Sequence, residues 1–224
     1  MARPDKNYAI KKQELAMTAF DLFLTNGFEQ TTVSQIMQAA GITRAGMYHY
    51  YASKEDILDA AIDYGMGKDI EMLKAELEGH TVPEKLLIFT RGTPTHNEMI
   101  QKLRTYRRGH KDSYASYRIR EQGIHAYIPV LEEIMQEGVD QGLYQVDYPR
   151  QAAEFMMLLV RSLSEENILP ETDEEGLRLR SEALLQLMAT WFQLDSGFLA
   201  DFRNLLTAGT EKLQAEKKGL KHED

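Results

Sequence analysis

Eight residues between Thr32 and Lys54 carry groups suited to binding nucleic acid. A guanidinium can form two parallel hydrogen bonds with the major-groove edge of guanine, so Arg44 is the best candidate for a base contact. Ala45 and Gly46 are small enough to let a helix approach DNA closely. Lys54 comes at a predicted helix N-terminus, where an ammonium and backbone N–H groups together can hold a phosphate; a solvated lysine is the alternative. The eight residues are Thr32, Thr43, Arg44, Ala45, Gly46, Tyr48, His49 and Lys54.

Two short helices joined by a tight turn are predicted to position these residues. Val33, Ile36 and Ala40 are spaced so that they share one face of a helix. Gly41 supplies the backbone freedom that a helix end and a sharp turn require. Thr43 can then cap a second helix, because its hydroxyl can accept a hydrogen bond from a free backbone N–H. The pattern therefore predicts a helix-turn-helix.

The second helix is expected to turn Met47 and Tyr50 inward and to leave its small and polar residues outward. A helix of this kind, with hydrogen-bonding groups near its N-terminus, can enter a DNA groove. The alternative is a three-helix bundle that never meets nucleic acid.

Three segments in the first quarter of the chain carry a resemblance to a known family. They read AMTAFDLFLTNGFEQTTV, IMQAAGI and MYHYYASKEDIL. In order and spacing they resemble the DNA-binding domain of the tetracycline-repressor (TetR) family. One departure is Tyr51, where the family more often has Phe in the same apolar role. The resemblance implies phosphate contacts from Thr32, Tyr48, His49 and Lys54.

The same resemblance implies an all-α protein with two domains. We expect a three-helix helix-turn-helix DNA-binding domain at residues 1–54, with a fourth helix linking onward from about residue 53. A larger helical domain for effector binding and dimerisation is expected at residues 55–224. The implied function is that of a homodimeric repressor, released from palindromic double-stranded DNA by a small-molecule effector and needing no other cofactor.

The charge distribution agrees with this division. The chain has a net charge of −9, yet six basic and four acidic residues through Lys54 give that part +2 and leave −11 for the rest. Phosphate contacts need the positive charge, whereas the acidic remainder is explained equally well as ordinary solubility charge. There is no cysteine, which excludes disulfides and thiol nucleophiles. With no apolar run of membrane-spanning length and no N-terminal signal region, we expect a cytoplasmic protein without membrane contact.

Two later helices are apolar on more than one side. They are predicted at about residues 149–167 and 175–195. A helix that is apolar beyond a single stripe is buried on several sides. The resemblance implies that this pair forms a four-helix bundle with a second subunit; the alternative is that both helices lie inside a monomer.

A helix predicted over residues 95–120 offers a candidate effector site. Phenols and a histidine on one face, beside Arg107, could receive a planar or anionic molecule; the alternative is a core helix with polar tips. A separate helix is expected to start near Pro129 and run to Gln141. The candidate effector residues are Leu103, Tyr106, Arg107, His110, Tyr114, Tyr117, Met156 and Trp191.

Enzymatic motifs are absent from the sequence, so we expect no catalytic residues and no metal. Residues 65–68, GMGK, lack the spacing and the hydroxyl residue of a phosphate-binding loop. His110 and Asp112 are not at the spacing of helical metal ligands. Two rival functions remain: an architectural DNA-binding protein without an effector, and an enzyme fused to a DNA-binding module.

Overall fold

The protein is built from α-helices throughout the ranges that the structure describes. The computed structural model describes residues 6–91, 98–110, 113–161, 174–191, 196–200 and 203–204. The helices are α1 (Lys6–Asn26), α2 (Val33–Ala40), α3 (Arg44–Tyr50), α4 (Lys54–Leu77), α5 (Val82–Arg91), α6 (Glu98–Gly109), α7 (Tyr114–Asp140), α8 (Pro149–Arg161) and α9 (Glu174–Trp191). No strand occurs within these ranges, and the all-α fold class is confirmed. None of their helices has both the length and the apolar character needed to cross a membrane.

Two of the predicted helices differ from the structure between residues 95 and 141. The single helix predicted over 95–120 is wrong, because α6 ends at Gly109 and α7 begins at Tyr114. The start of α7 is capped by Ser113, whose hydroxyl oxygen accepts a hydrogen bond of 3.2 Å from the backbone N–H of Ser116. The regular spacing of apolar and aromatic residues across the junction concealed this cap in the sequence.

α7 continues through Pro129, where the sequence predicted the start of a separate helix. A proline inside a helix cannot donate to the carbonyl four residues earlier, which here belongs to His125. Both residues are exposed, so water can hydrate that carbonyl and the helix tolerates the proline.

The chain forms two compact units. The first comprises Met1–Met72 and Thr95–Ala126, and its buried core takes side chains from α1, α2, α3, α4 and α6. Those core residues include Phe20, Phe23, Ile36, Met47, Ile57, Leu58, Ile62 and Leu103. The domain boundary predicted after residue 54 separates a DNA-binding domain from an effector-binding and dimerisation domain. The packing of one chain does not test those functions, so this boundary stays a prediction.

The second unit comprises Leu73–Pro94 and Tyr127–Asp224. Within it, Lys74 pairs with Glu133 at 2.7 Å, which joins the end of α4 to the second half of α7. The end of α7 also packs tightly on the chain that follows it, because a Cβ at Gly138 would overlap the Tyr144 ring. Burial raises the pKa of the Tyr144 phenol.

Candidate nucleic-acid interface

A reciprocal pair of hydrogen bonds fixes the start of α2. The backbone N–H of Gln35 donates to Thr32 Oγ1 at 3.3 Å, and the backbone N–H of Thr32 donates to Gln35 Oε1 at 2.7 Å. This capping box satisfies two donors that a helix start leaves free. Thr32 is therefore the N-terminal cap of α2, and the residue remains exposed.

Gly41 ends α2 in the left-handed conformation, with φ of 63°. This region favours glycine because a Cβ would crowd the backbone. The N–H of Gly41 donates to the carbonyl of Gln38, and the N–H of Ile42 donates to that of Met37. The chain then turns directly into the cap of α3, as the sequence predicted.

The N-terminal end of α3 faces solvent. Thr43 caps it, because its Oγ1 accepts a 3.1 Å hydrogen bond from the N–H of Gly46. Met47 is fully buried at 0% exposure and secures the helix to the core. The outward set predicted from the sequence is exposed at Thr43, Arg44, Ala45, Tyr48 and His49, and Gly46 is half-buried.

Arg44 and Tyr48 form a pair on the exposed surface of α3. The guanidinium carbon of Arg44 lies 5.7 Å from the centre of the Tyr48 ring, within the range of a cation–π contact. Tyr48 is 46% exposed, so the pair remains open to a partner. A Cβ at Gly46 would lie 3.3 Å from Thr43 Oγ1, which shows that this position has little room for a larger residue.

Two phenols join α1 to the C-terminal end of α3. The Tyr8 hydroxyl donates to the carbonyl oxygen of His49 at 3.2 Å, and the Tyr51 hydroxyl donates to that of Lys12 at 2.9 Å. The Lys12 ammonium lies 4.9 Å from the centre of the Tyr51 ring. Burial, and then the proximity of Tyr8, raise the pKa of the Tyr51 phenol to about 12. Tyr51 is thus buried in the apolar role expected for it, and its hydroxyl has a backbone partner.

The Lys54 ammonium binds the loop between α1 and α2. It donates to the carbonyl oxygens of Phe28 and Thr31, at 2.7 and 3.0 Å, and lies 4.3 Å from the centre of the Phe28 ring. An ammonium has three N–H donors, so one remains for a phosphate. Ser53 caps α4, because its Oγ accepts a 3.0 Å hydrogen bond from the N–H of Asp56. The phosphate role of Lys54 stays a prediction.

The candidate effector residues do not share a single environment. Leu103 and Tyr106 are buried on α6, whereas Tyr114 and Tyr117 are 41% and 52% exposed at the start of α7. His110 is exposed between the two helices. Arg107 is half-buried, Met156 is buried on α8 in the other unit, and the side chain of Trp191 lies outside the described residues. Their effector role stays a prediction.

Tyr106 has a structural contact that its sequence position did not suggest. Its hydroxyl oxygen accepts a hydrogen bond of 3.4 Å from the backbone N–H of Phe28, and its ring stacks on His110 with centres 4.4 Å apart. The ring of Tyr114 lies 5.4 Å from that of Phe28, and its N–H donates to Glu29 Oε1 at 3.2 Å. The ends of α6 and α7 that meet at this junction therefore pack on the loop before α2.

A polar groove of about 370 Å³ runs between α4 and the first half of α7. Arg118 crosses it and binds both carboxylate oxygens of Asp59, at 2.9 and 2.6 Å, which raises the pKa of the guanidinium. Burial, and then the neighbouring Asp59, raise the pKa of the Asp63 carboxyl, and Arg118 opposes that rise. Glu121, Gln122, His125 and Ala126 complete the lining. None of the eight candidate effector residues lines this groove.

Comparisons with known proteins identify the same N-terminal segment. The family model described as bacterial regulatory proteins, tetR family, matches residues 17–61, which run from α1 into α4. A fatty acid metabolism regulator protein of Bacillus subtilis (strain 168) is 28% identical over 138 residues, which are 59% of this chain and 70% of that protein.

Solved structures agree on the fold. A TetR-family regulator from Pectobacterium atrosepticum is similar with a TM-score of 0.55 and 16% identity, over 85% of this chain and 98% of that one. A TetR-family regulator from Cytophaga hutchinsonii has a TM-score of 0.54 and 18% identity, over 85% and 98%. These similarities show that the chain has the helical fold of the two solved structures. Residues 17–61 thus match the tetR family of bacterial regulatory proteins, and this match together with the curated relatives supports a DNA-binding transcription regulator.

Proposed function

We propose that the protein is a dimeric repressor whose two α3 helices enter successive major grooves of a palindromic site. The observation that supports this most directly is the N-terminal end of α3, where Thr43, Arg44 and Ala45 are exposed while Met47 is fully buried. A recognition helix reads bases with its N-terminal residues and needs such an anchored, exposed end. Two-fold symmetry then requires the helices to lie roughly 34 Å apart or slightly more.

In this proposal the residues of the interface include one base reader and several phosphate ligands. Arg44 reads guanine, because its planar donors match the two acceptors on that base. Ala45 and Gly46 permit close approach. Thr43 lies with them at the end of α3 that enters the groove. The phosphate ligands are Thr32, Tyr48, His49 and Lys54. Phosphate contacts fix the register of the protein on the duplex, and the base contact supplies sequence information.

Replacement of Arg44 tests this division. We expect Arg44→Ala to weaken binding to the preferred duplex by about 1–3 kcal/mol and to relax the base preference at one position. The preferred duplex is obtained by binding-site selection from random sequences with the wild-type protein. Lys68→Ala is the control, because Lys68 is an exposed residue of α4 paired with Glu71. Unchanged affinity of Arg44→Ala for the selected duplex would remove Arg44 from the interface.

Exposed apolar side chains on α8 and α9 support a dimer through these helices. α8 buries Met156 and Met157 yet exposes Phe155 by 54% and Leu158 by 48%. α9 exposes Leu187 by 48% while its other side is buried. We take the exposed apolar side chains on these two successive helices as the surface that contacts another protein, here a second copy. The parts of the predicted segments at residues 162–167 and 192–195 lie outside the described residues.

A charge placed on this surface tests the dimer. We expect Leu187→Glu to shift the protein towards monomer at micromolar concentration, because an unpaired carboxylate is costly to bury in an interface. Met72→Glu is the matched control, since Met72 is 41% exposed on α4. Sedimentation velocity measures the outcome. A monomeric wild-type protein would contradict the proposed dimer outright.

The effector is proposed to act through α4, whose residues fall in both compact units. A ligand that favours one orientation of α4 changes the spacing of the two α3 helices, and a palindrome tolerates little change in that spacing. A small-molecule panel that begins with fatty acids tests this, because the Bacillus subtilis relative is named a fatty acid metabolism regulator protein. An architectural DNA-binding protein would keep its duplex in the presence of every ligand. We propose no catalytic role and place the protein in the cytoplasm.

A further inference from the structure

Tyr8 links the first turns of α1 to the last turn of α3, 41 residues away. Its hydroxyl donates to the carbonyl oxygen of His49 at 3.2 Å. Its ring meets the His49 ring edge-on, with centres 5.3 Å apart, and lies 5.0 Å from the Tyr50 ring. The last four carbonyls of a helix have no partner inside it. Tyr8 therefore supplies one of those missing donors to α3 from a different helix.

α3 depends on such contacts because it has only seven residues. A helix of two turns is not stable alone in water, so packing sets both its formation and its direction. Met47 anchors its middle in the core. Tyr8 and Tyr51 hold its C-terminal end on α1 through two hydrogen bonds that run in opposite directions. The N-terminal end has no equivalent tie to α1 among the hydrogen bonds described above, and it is the end proposed to enter the groove.

We propose that Tyr8 is a positioning residue for DNA recognition: it fixes the direction of α3 so that Arg44 meets its base. This inference rests on the function proposed for α3. Arg44 lies five residues before His49, which is about 7.5 Å along a helix axis. A tilt of about 10° at the C-terminal end would therefore move Arg44 by about 1 Å, which exceeds the tolerance of a bidentate hydrogen bond.

The test removes the Tyr8 hydroxyl and keeps the ring. Tyr8→Phe is compared with Tyr148→Phe, a control in which the phenol is 71% exposed and lies in the other unit. Affinity is measured for the duplex selected by the wild-type protein and for a scrambled duplex of the same length, at one salt concentration. Thermal unfolding confirms that each variant is folded at the temperature of the binding assay.

We expect Tyr8→Phe to lose about three- to tenfold in affinity for the selected duplex, the range of one net hydrogen bond, and to bind the scrambled duplex unchanged. Amide hydrogen exchange at Tyr50 and Tyr51 should accelerate in the variant, while exchange in α2 stays as in the wild type. A purely structural role would leave the affinity ratio of the two duplexes unchanged in the folded variant.

Three other results would overturn the positioning role, and one would contradict the proposed function of α3. Equal affinity of Tyr8→Phe and wild type for the selected duplex overturns the positioning role, as does an equal loss on both duplexes. Faster exchange in α2 and α3 together shows a general loss of stability and also overturns it. If the wild-type protein selects no duplex at all, the proposed function of α3 fails instead.

Discussion

Replacement of Lys54 by methionine separates two roles that the same ammonium can hold. Methionine keeps most of the length of the side chain and removes the charge and all three donors. In the structure two of those donors bind the carbonyl oxygens of Phe28 and Thr31, at 2.7 and 3.0 Å. The third can bind phosphate, as the resemblance implies. One substitution therefore affects both protein stability and DNA binding, and each effect has its own measurement.

The stability effect follows from the two carbonyls. A hydrogen bond to a charged donor is worth about 1.5–3 kcal/mol, and a half-exposed site recovers part of this through water. We expect Lys54→Met to lower the free energy of unfolding by about 2 kcal/mol. Lys68→Met on the same helix removes only an exposed ion pair with Glu71, which contributes little to stability. Urea unfolding followed by circular dichroism gives both values.

The effect of Lys54→Met on DNA binding is measured as the salt dependence of the affinity for DNA. Each phosphate contact contributes about −0.9 to the slope of log K against log salt concentration, measured from about 50 to about 200 mM. Loss of one contact per subunit should reduce the slope of a dimer by about 1.8 in Lys54→Met. Fluorescence anisotropy of a labelled duplex supplies the slope. An unaltered slope refutes the phosphate contact, and unaltered stability refutes the role in holding the loop.

Two further predictions concern α3 and its C-terminal cap. Gly46→Ala should lower affinity for the selected duplex about tenfold. The free energy of unfolding should change by less than about 1 kcal/mol, because the higher helix propensity of alanine offsets the crowding of its Cβ against Thr43. Gly67→Ala, where a Cβ meets no atom within 4 Å, is the control and should bind as the wild type; equal affinity of both variants would contradict a close approach at residue 46. Because the Tyr51 pKa is raised from 10.0 to about 12, the folded protein keeps this proton while the unfolded chain loses it, so stability falls as pH rises through that window. Thermal unfolding across the window should show a shallower loss in Tyr51→Phe than in the wild type, and parallel curves would show that Tyr51 does not titrate as described.

Local signals in the sequence were enough to predict α2, α3 and the exposed face of α3. Thr32, Gly41 and Thr43 act on backbone groups within three or four residues, so their effect is visible in the pattern itself. Ser113 is the same kind of signal, but it lies between regularly spaced aromatic residues that favour one continuous helix. The position of helix ends is accordingly the weakest part of the sequence interpretation.

Contacts between distant parts of the chain could not be predicted from periodicity. The hydrogen bond between Tyr8 and His49 spans 41 residues, and that between Phe28 and Tyr106 spans 78. No pattern of spacing pairs such residues, because their proximity results from the packing of whole helices. For the same reason, the sequence placed Tyr106, Tyr114 and Tyr117 on one face, whereas the structure buries the first and exposes the other two.

The bonds that α6 and α7 make within the first unit also bear on protein engineering. A hybrid regulator can be designed by exchanging the segment that binds DNA for that of another protein. A crossover after residue 72 would here separate Phe28 from Tyr106 and Asp59 from Arg118. A hybrid that also carries residues 95–126 across keeps those partners together. Grafts designed on sequence order alone should therefore express poorly, and grafts designed on spatial neighbours should yield working sensors.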